Sequence, residues 1–369
     1  MKQILLIVFH DMRLGGIQRK IIDIINYHQK HLPDTKIILC LREQQGIFLE
    51  QIPKNIEIIS PSFYTSRFNM AWFTIWLIKK IATIKPTQIL SFMDLGSIPT
   101  IITLKLLPWI KPKLTIGEDI LTSKYIYTES FPPLRKLLIK WLYPRAHTIL
   151  VQTPIQKKDL EKMIYQSIEN SKIIVSPNWL PSDFPPKKNI SQNQRSIDIL
   201  FVGRIDNQKN LPLFLEIIKQ VKEKNSHITA FIVGDGDQKN NINKLIKKLD
   251  LQKNVFIKKP TLNPSQYYSQ SKIFLLTSNY EGFPLTLMEA ISSGCLPIVR
   301  NIPELSQFFT KDRSKIMFNT RLEATKIIIN LLQKPQTNHI KPYLDKILTD
   351  QQKHISTYIK HFSRPQPTS

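Results

Sequence analysis

Short, almost wholly apolar runs alternate along this chain with longer segments in which apolar residues recur every three or four positions. ILLIVF (from Ile4), KIILCL (from Lys36), QILSFM (from Gln88), LTIGED (from Leu114) and HTILVQT (from His147) have strand length. Continuous apolar runs of that length predict strands covered on both faces, as in a parallel sheet. Between them, LGGIQRKIIDIINYHQKH (from Leu14) reads as a glycine turn entering an amphipathic helix, and 69–84 and 134–142 carry helical spacing. After 196 the same grammar restarts, with IDILFVG, ITAFIVGDG, NVFIKK, IFLLTS and CLPIVR as strands. KNLPLFLEIIKQVKEK, NKLIKKLDL, PSQYYSQS and LTLMEAISSG are the helices between them. Strands alternating with helices predict an α/β fold of two doubly wound domains facing a cleft.

The stretch 181–196, PSDFPPKKNISQNQRS, is rich in proline and polar residues and has the composition of a linker. It divides an N-terminal domain (1–180) from a second domain (197–342). The remainder, 343–369, has helical spacing with no strand after it, so a C-terminal helix is expected to pack back across the domains. Its last residues, SRPQPTS, are expected to be disordered.

Composition changes this picture in three ways. At 369 residues and 42% hydrophobic content, each half can bury a core and global disorder is excluded. Cys40 and Cys295 form neither a metal-ligand spacing nor a disulfide framework, which favours a reducing compartment. The first apolar run is interrupted by His10-Asp11, too early for a signal-peptide core, so a cytoplasmic protein is expected. Finally, 52 basic against 28 acidic residues give a formal charge of +24, a field that attracts nucleic acid, anionic lipid or phosphorylated substrates.

Candidate chemistry lies where strands end. IFLLTSNYEGFPLTLMEAISSG, from Ile273, runs from a strand through a loop into a short helix that Gly294 should stop. Ligands of open α/β sheets bind beyond the carboxyl ends of strands, and helix N-termini favour phosphate there. Gly282 permits close backbone approach and Pro284 suits a helix start. Glu281 and Glu289, with seven residues between them, can both accept hydrogen bonds from sugar hydroxyls; as plain structure they would be a surface and a capping Glu. In FVGRIDNQKNL, from Phe201, a strand delivers Arg204 and Lys209 to the corresponding edge. A guanidinium fork and an ammonium there would stabilise a departing diphosphate without a metal, whereas the structural alternative pairs Arg204 with Asp206 or Asp198. The turn Leu14-Gly15-Gly16-Ile17 resembles a phosphate-approaching loop, although a simple tight turn reads the same. Asp235-Gly236-Asp237 has an Asp-X-Asp form that could suggest a divalent metal, but its glycine context after a strand reads as a turn.

Taken together, these segments resemble the family 4 retaining glycosyltransferases of the GT-B fold (glycosyl transferases group 1). EGFPLTLMEAISSGCLPIV looks like their Glu–seven–Glu signature, FVGRIDNQKN their Arg and Lys segment and LGGIQRK their glycine loop. IVGDGD and KIIVSPNWL, with Asn178, are similar to further stretches in the same order. The resemblance implies a nucleotide-sugar donor, a UDP- or GDP-sugar, used as substrate without cofactor or metal. Arg204 and Lys209 would hold its diphosphate. Glu281 with Gly282, Phe283, Pro284, Leu285 and Thr286 would hold the sugar and distal phosphate, Glu289 the ribose, and Gly15 and Gly16 would face the reacting phosphate. Transfer would retain the anomeric configuration, with the leaving diphosphate accepting the acceptor's proton.

Two departures stand out. Many members of that family carry a His near the reacting sugar, where LTIGEDI places Glu118 and Asp119, so Glu118 becomes the candidate catalytic base; His10 reads as an ordinary loop residue. Lys258-Lys259 stand where the family often has a glycine near the base.

Basic residues and tryptophans share three segments of the first half: FNMAWFTIWLIKKIATIK (from Phe68), ITLKLLPWIKPK and FPPLRKLLIKWLYPR (from Phe131). Such segments suit an anionic membrane surface, or are core helices with solvated basic faces. The expectation is a peripheral enzyme on the inner face of the cytoplasmic membrane. It would move sugar to a glycan or lipid-linked glycan in cell-surface polysaccharide or lipopolysaccharide synthesis. A nicotinamide dehydrogenase would need a Gly-X-Gly-X-X-Gly that is missing here. A specific nucleic-acid binder would show zinc-finger spacing, an aromatic RNA platform or a basic zipper. The alternatives are a transferase-like binding protein of weakened activity, kept open by the missing His, and a basic nucleic-acid-binding protein, whose salt-sensitive binding the charge alone could supply.

Overall fold

The computed structural model describes residues 3–61, 69–128, 131–164, 172–181, 184, 191–309, 313–334, 342–343, 345 and 354–361. Two compact units divide the chain. The first comprises Met1–Arg13, Ile17–Asn178 and Gln352–Ser369, the second Leu14–Gly16 with Trp179–Gln351.

The first unit is built on strands β1 (Ile4–Phe9), β2 (Lys36–Leu41), β3 (Glu57–Ile59), β4 (Gln88–Phe92), β5 (Lys113–Glu118), β6 (Thr148–Val151) and β7 (Ile173–Val175). They pair in parallel in the order β3-β2-β1-β4-β5-β6-β7. The helices between them are α1 (Gly16–His31), α2 (Asn69–Ile84), α3 (Met93–Leu106), α4 (Thr122–Tyr125), α5 (Pro132–Leu142) and α6 (Pro154–Met163). The apolar runs read as strands bury both faces because helices cover the sheet on both sides; Leu5 to Val8 are wholly inaccessible.

In the second unit, β8 (Ile197–Val202), β9 (Ala230–Val233), β10 (Val255–Lys258), β11 (Ser271–Leu276), β12 (Leu296–Arg300) and β13 (Met317–Phe318) form a parallel sheet of order β10-β9-β8-β11-β12-β13. Its helices are α7 (Leu211–Lys224), α8 (Lys239–Lys248), α9 (Ser265–Gln270), α10 (Leu285–Ser292), α11 (Pro303–Ser306), α12 (Arg313–Ile316) and α13 (Arg321–Gln333). Both sheets wind outward in one direction and then restart beside the first strand. The switch points therefore lie between β1 and β4 and between β8 and β11, where loops diverge and leave a crevice.

Gly294 stops α10 as expected: at φ 82° it takes the left-handed conformation, and the Cys295 amide bonds back to the Ala290 carbonyl at 2.9 Å. Of the linker, 182–183 and 185–190 lie outside the described residues. Its far end is not loose. Arg195 is buried in the second unit, donating to the carbonyls of Tyr268 (3.0 Å), Ser271 (2.6 Å) and Ser293 (2.8 Å). In the tail, 342–343, 345 and 354–361 are helical, whereas SRPQPTS lies outside the described residues. Tyr358 and Ile359 are buried in the first unit, and Tyr358 carries the Lys20 ammonium 5.1 Å over its ring.

Candidate donor site

At the switch point of the second sheet, the loops leaving β8 and β11 lie side by side because the two strands are neighbours. Hydrogen bonds join them. The Asn279 amide donates to the Gln208 carbonyl at 2.8 Å, the Thr277 hydroxyl to the Lys209 carbonyl at 2.9 Å, and the Asn279 side chain to the Asn207 carbonyl at 3.0 Å. The tight backbone at the end of β8 needs Gly234, since a Cβ there would lie 1.9 Å from the Gly203 carbonyl oxygen.

These contacts bring Lys209 and Glu281 together, 72 residues apart in sequence, with Nζ 2.7 Å from Oε1. Both side chains are largely enclosed, so the ion pair is little screened. Glu281 also accepts from the Ser278 hydroxyl (2.5 Å) and the Gln208 amide (3.4 Å). Arg204 remains half-exposed, 3.4 Å from Asp206 through Nε and 3.4 Å from Gln208 Oε1 through Nη2. Asp198, its other anticipated partner, instead binds Lys272 Nζ at 2.8 Å. Arg204 thus stands at the edge of the site with a weakly held guanidinium. Four residues beyond Glu281, α10 begins at Leu285, so the Gly282–Thr286 backbone leads into the positive end of a helix.

Glu289 has a different setting. It is buried within α10 and accepts from the Tyr268 hydroxyl on α9 at 2.7 Å, a partner distinct from the lysine, serine and glutamine around Glu281. Gln208, Ser278 and Tyr268 were not anticipated from the sequence. The signal that could have drawn attention to Gln208 and Ser278 is their place as polar residues in loops following apolar strands. Asp235 behaves as a turn residue: its carboxylate accepts from the Gly236 amide at 2.9 Å and lies 3.3 Å from Lys239 Nζ.

Gly16 opens α1 after β1, with Gly15 in the preceding turn. At the end of β1, His10 Nε2 lies 3.3 Å from Asp11 and 3.9 Å from Glu43, the one grouping of potential metal ligands found among the described residues. Arg13 and Arg42 already engage these carboxylates, at 2.8 Å to Asp11 and at 3.0 and 3.1 Å to Glu43. Burial, then Arg42, lowers the pKa of His10.

Glu118 ends β5 and is enclosed rather than solvent-facing, at 1% exposure. The Tyr143 hydroxyl donates to one carboxylate oxygen and the Thr122 hydroxyl to the other at 3.2 Å. Burial is the main cause that raises its pKa from 4.5 to about 8, with Asp94 and Asp119 adding to the rise and Tyr143 and Thr122 opposing it. A base role would require Glu118 to leave these partners and lose its proton. Folding therefore makes Glu118 keep a proton that the unfolded chain releases above its ordinary value of 4.5. Its contribution to stability is full below that value and declines as pH rises to about 8. A tenfold change in proton affinity corresponds to about 1.4 kcal/mol, so the whole contribution reaches a few kcal/mol. Glu118→Gln should flatten the stability–pH profile between pH 5 and 8, measured by urea unfolding. Parallel profiles for variant and wild type would refute the buried-proton assignment.

Residues 184–353 match the sequence pattern of the glycosyl transferases group 1. That segment, a little under half of the chain, carries the group 1 pattern. An uncharacterized glycosyltransferase of Methanocaldococcus jannaschii is 32% identical over 171 residues, covering 44% of this chain and 41% of the relative. The N-acetylgalactosamine-N,N'-diacetylbacillosaminyl-diphospho-undecaprenol 4-alpha-N-acetylgalactosaminyltransferase of Campylobacter jejuni is 30% identical over 188 residues, 50% of each chain. The matches thus span about half, or less, of these curated relatives. The crystal structure of S. aureus TarM (G117R mutant), in complex with fondaparinux, alpha-GlcNAc-glycerol and UDP, superimposes with a TM-score of 0.76 at 13% identity. It covers 99% of this chain and 100% of TarM, so the fold expected from the sequence, GT-B, is present. Both the Lys209–Glu281 pair and Glu289 fall within the group 1 segment.

Proposed function

We propose that this chain is a family 4 retaining glycosyltransferase that moves a sugar from a UDP- or GDP-sugar to a glycan or lipid-linked glycan. The observation that carries the reading is the enclosed Lys209–Glu281 pair at a sheet switch point, beside the half-exposed Arg204 and the start of α10. A diphosphate arriving there would compete with Glu281 for the Lys209 ammonium. The carboxylate released would accept hydrogen bonds from the sugar's hydroxyls, and Arg204 would swing from Asp206 to the phosphate oxygens. As the glycosidic bond breaks, the two cations would stabilise the departing diphosphate, while Gly282, Phe283, Pro284, Leu285 and Thr286 bring backbone amides to the donor. Glu289, braced by Tyr268, would reach the ribose, and Gly15 and Gly16 would approach the reacting phosphate. The group 1 match supports the transferase class, and TarM's complex with UDP supports a uridine donor. The C. jejuni relative's name specifies a diphospho-undecaprenol saccharide, which supports a lipid-linked glycan as the acceptor.

Saturation-transfer NMR with a panel of nucleotide sugars tests this on wild type and Glu281→Ala. One donor should bind wild type, and the variant should lose the sugar contacts while retaining nucleotide contacts. Absence of binding across the panel would overturn the reading.

A further inference from the structure

Helix α5 carries two apolar faces, and only one is needed for folding. Arg135, Ile139 and Leu142 point into the first unit and are buried. Leu134, Leu137 and Trp141, spaced three and four residues apart, form a second stripe that faces solvent, with Leu137 52% and Trp141 63% exposed. Lys136 and Lys140 are exposed within the same helix, and Phe131, just before it, is 75% exposed. An apolar stripe beside lysines is a surface chemistry that packing of this unit leaves unused.

The neighbouring helix continues it. Helix α3 packs between α2 and α5, and successive parallel crossovers from β3 through β6 place these helices on one side of the sheet. Trp109, in the turn from α3 to β5, is 70% exposed, with Lys105 and Lys111 exposed on either side of it. It lies at the end of the sheet where strands start, the end to which the C-terminus of α5 also runs, and α3 contacts the turn Tyr143–Arg145 that follows α5.

Charge on this layer is one-sided. The acidic side chains among the described residues of 69–145 are Asp94, Glu118 and Asp119, and they are engaged internally by Arg135, Tyr143 and Lys20. What faces outward is cationic and apolar. Phosphate-bearing polymers would satisfy the lysines but leave the leucine stripe in water. A bilayer with anionic headgroups satisfies both, hydrocarbon taking the leucines, the interface taking the tryptophans and the headgroups taking the lysines. Among the described residues no helix is long and apolar enough to cross a membrane, so the contact would be one of lying on the surface.

We propose that the outer face of the α3–α5 layer docks on an anionic phospholipid surface. Docking requires no donor and is independent of the transferase reading. The test is flotation of the full chain with vesicles of phosphatidylglycerol and phosphatidylcholine against pure phosphatidylcholine, in low salt. Wild type should bind the anionic vesicles at least about ten-fold more tightly, with tryptophan emission shifting to the blue. Lys136→Glu with Lys140→Glu should weaken binding about a hundred-fold, and Leu137→Ser with Trp141→Ser about ten-fold or more. Leu322→Ser, at a 57% exposed leucine of the second unit, should leave binding unchanged. All variants change exposed side chains and should unfold at the wild-type temperature. Equal recovery with neutral and anionic vesicles, or undiminished binding by the Leu137/Trp141 variant, would overturn the proposal. So would failure to bind vesicles combined with a dimer that the Leu137/Trp141 variant splits, which would make this face a protein interface.

Discussion

Lys209→Ala should reduce the rate of sugar transfer by about 10² to 10³-fold, the scale on which removing one preorganised charge from a transition-state site is felt. Lys209 lies 2.7 Å from Glu281 and both are enclosed, so the substitution also strands a buried carboxylate. Breaking one side of such a pair costs about 3–5 kcal/mol, which would itself lower activity through unfolding. The two losses separate in the double variant Lys209→Ala with Glu281→Gln. Its stability should return most of the way, because no unpaired charge remains, while transfer should stay at or below the level of Lys209→Ala. Steady-state kinetics with the donor found by NMR, read beside urea unfolding, checks this. If the double variant recovered transfer as it recovered stability, the pair would be structural and the phosphate assignment would fail.

Why that pair was visible only in part follows from how a doubly wound sheet is read. Arg204, Lys209 and Glu281 were each legible, because each follows an apolar strand and carries a chemistry suited to a diphosphate sugar. Their juxtaposition was not. It depends on β8 and β11 being neighbours, a fact of strand order that no periodicity reports. The same limit applies to Glu289. Its spacing from Glu281 was plain, but its bond to Tyr268 depends on how α9 packs on α10.

Long, two-sided strands and the amphipathic helices α1 and α7 were legible because solvent imposes a pattern on them. Helix α3 had none to show. Nine of the fourteen residues of MDLGSIPTIITLKL are buried, on every side of its first turns, it contains Pro99, and Gly96 sits where a Cβ would lie 3.0 Å from the Val8 carbonyl oxygen. The two-residue β13 and three-residue β3 were too short to announce themselves. Exposure divided the tryptophan-bearing segments in a way that hydrophobicity could not. Phe73 is a core residue while Trp109 and Trp141 face outward, so a single compositional signal carried both core and surface.

Arg135→Met should be the most destabilising single change in the first unit, by about 3–5 kcal/mol at neutral pH. Arg135 Nε donates to Asp94 Oδ2 at 2.5 Å, joining α5 to the first turn of α3, and its guanidinium carbon lies 5.4 Å over the Tyr125 ring. Burial pushes the Asp94 carboxyl above its ordinary range, and the guanidinium is the chief influence pulling it back. Without Arg135 the carboxyl moves further up, so the folded variant holds a proton that the unfolded chain gives up. The deficit should therefore grow as pH rises above the ordinary aspartate value of 3.8 and be much smaller at pH 4, where the unfolded carboxyl is still partly protonated. Asp94→Asn combined with Arg135→Met should recover most of the loss and remove this added pH dependence, since an amide has no charge to strand. Urea unfolding at pH 4 and pH 7 distinguishes the causes. A deficit of equal size at both values, unrelieved by Asp94→Asn, would mean that Arg135 acts through packing against Tyr125 and Ile139's side of α5 rather than through its charge.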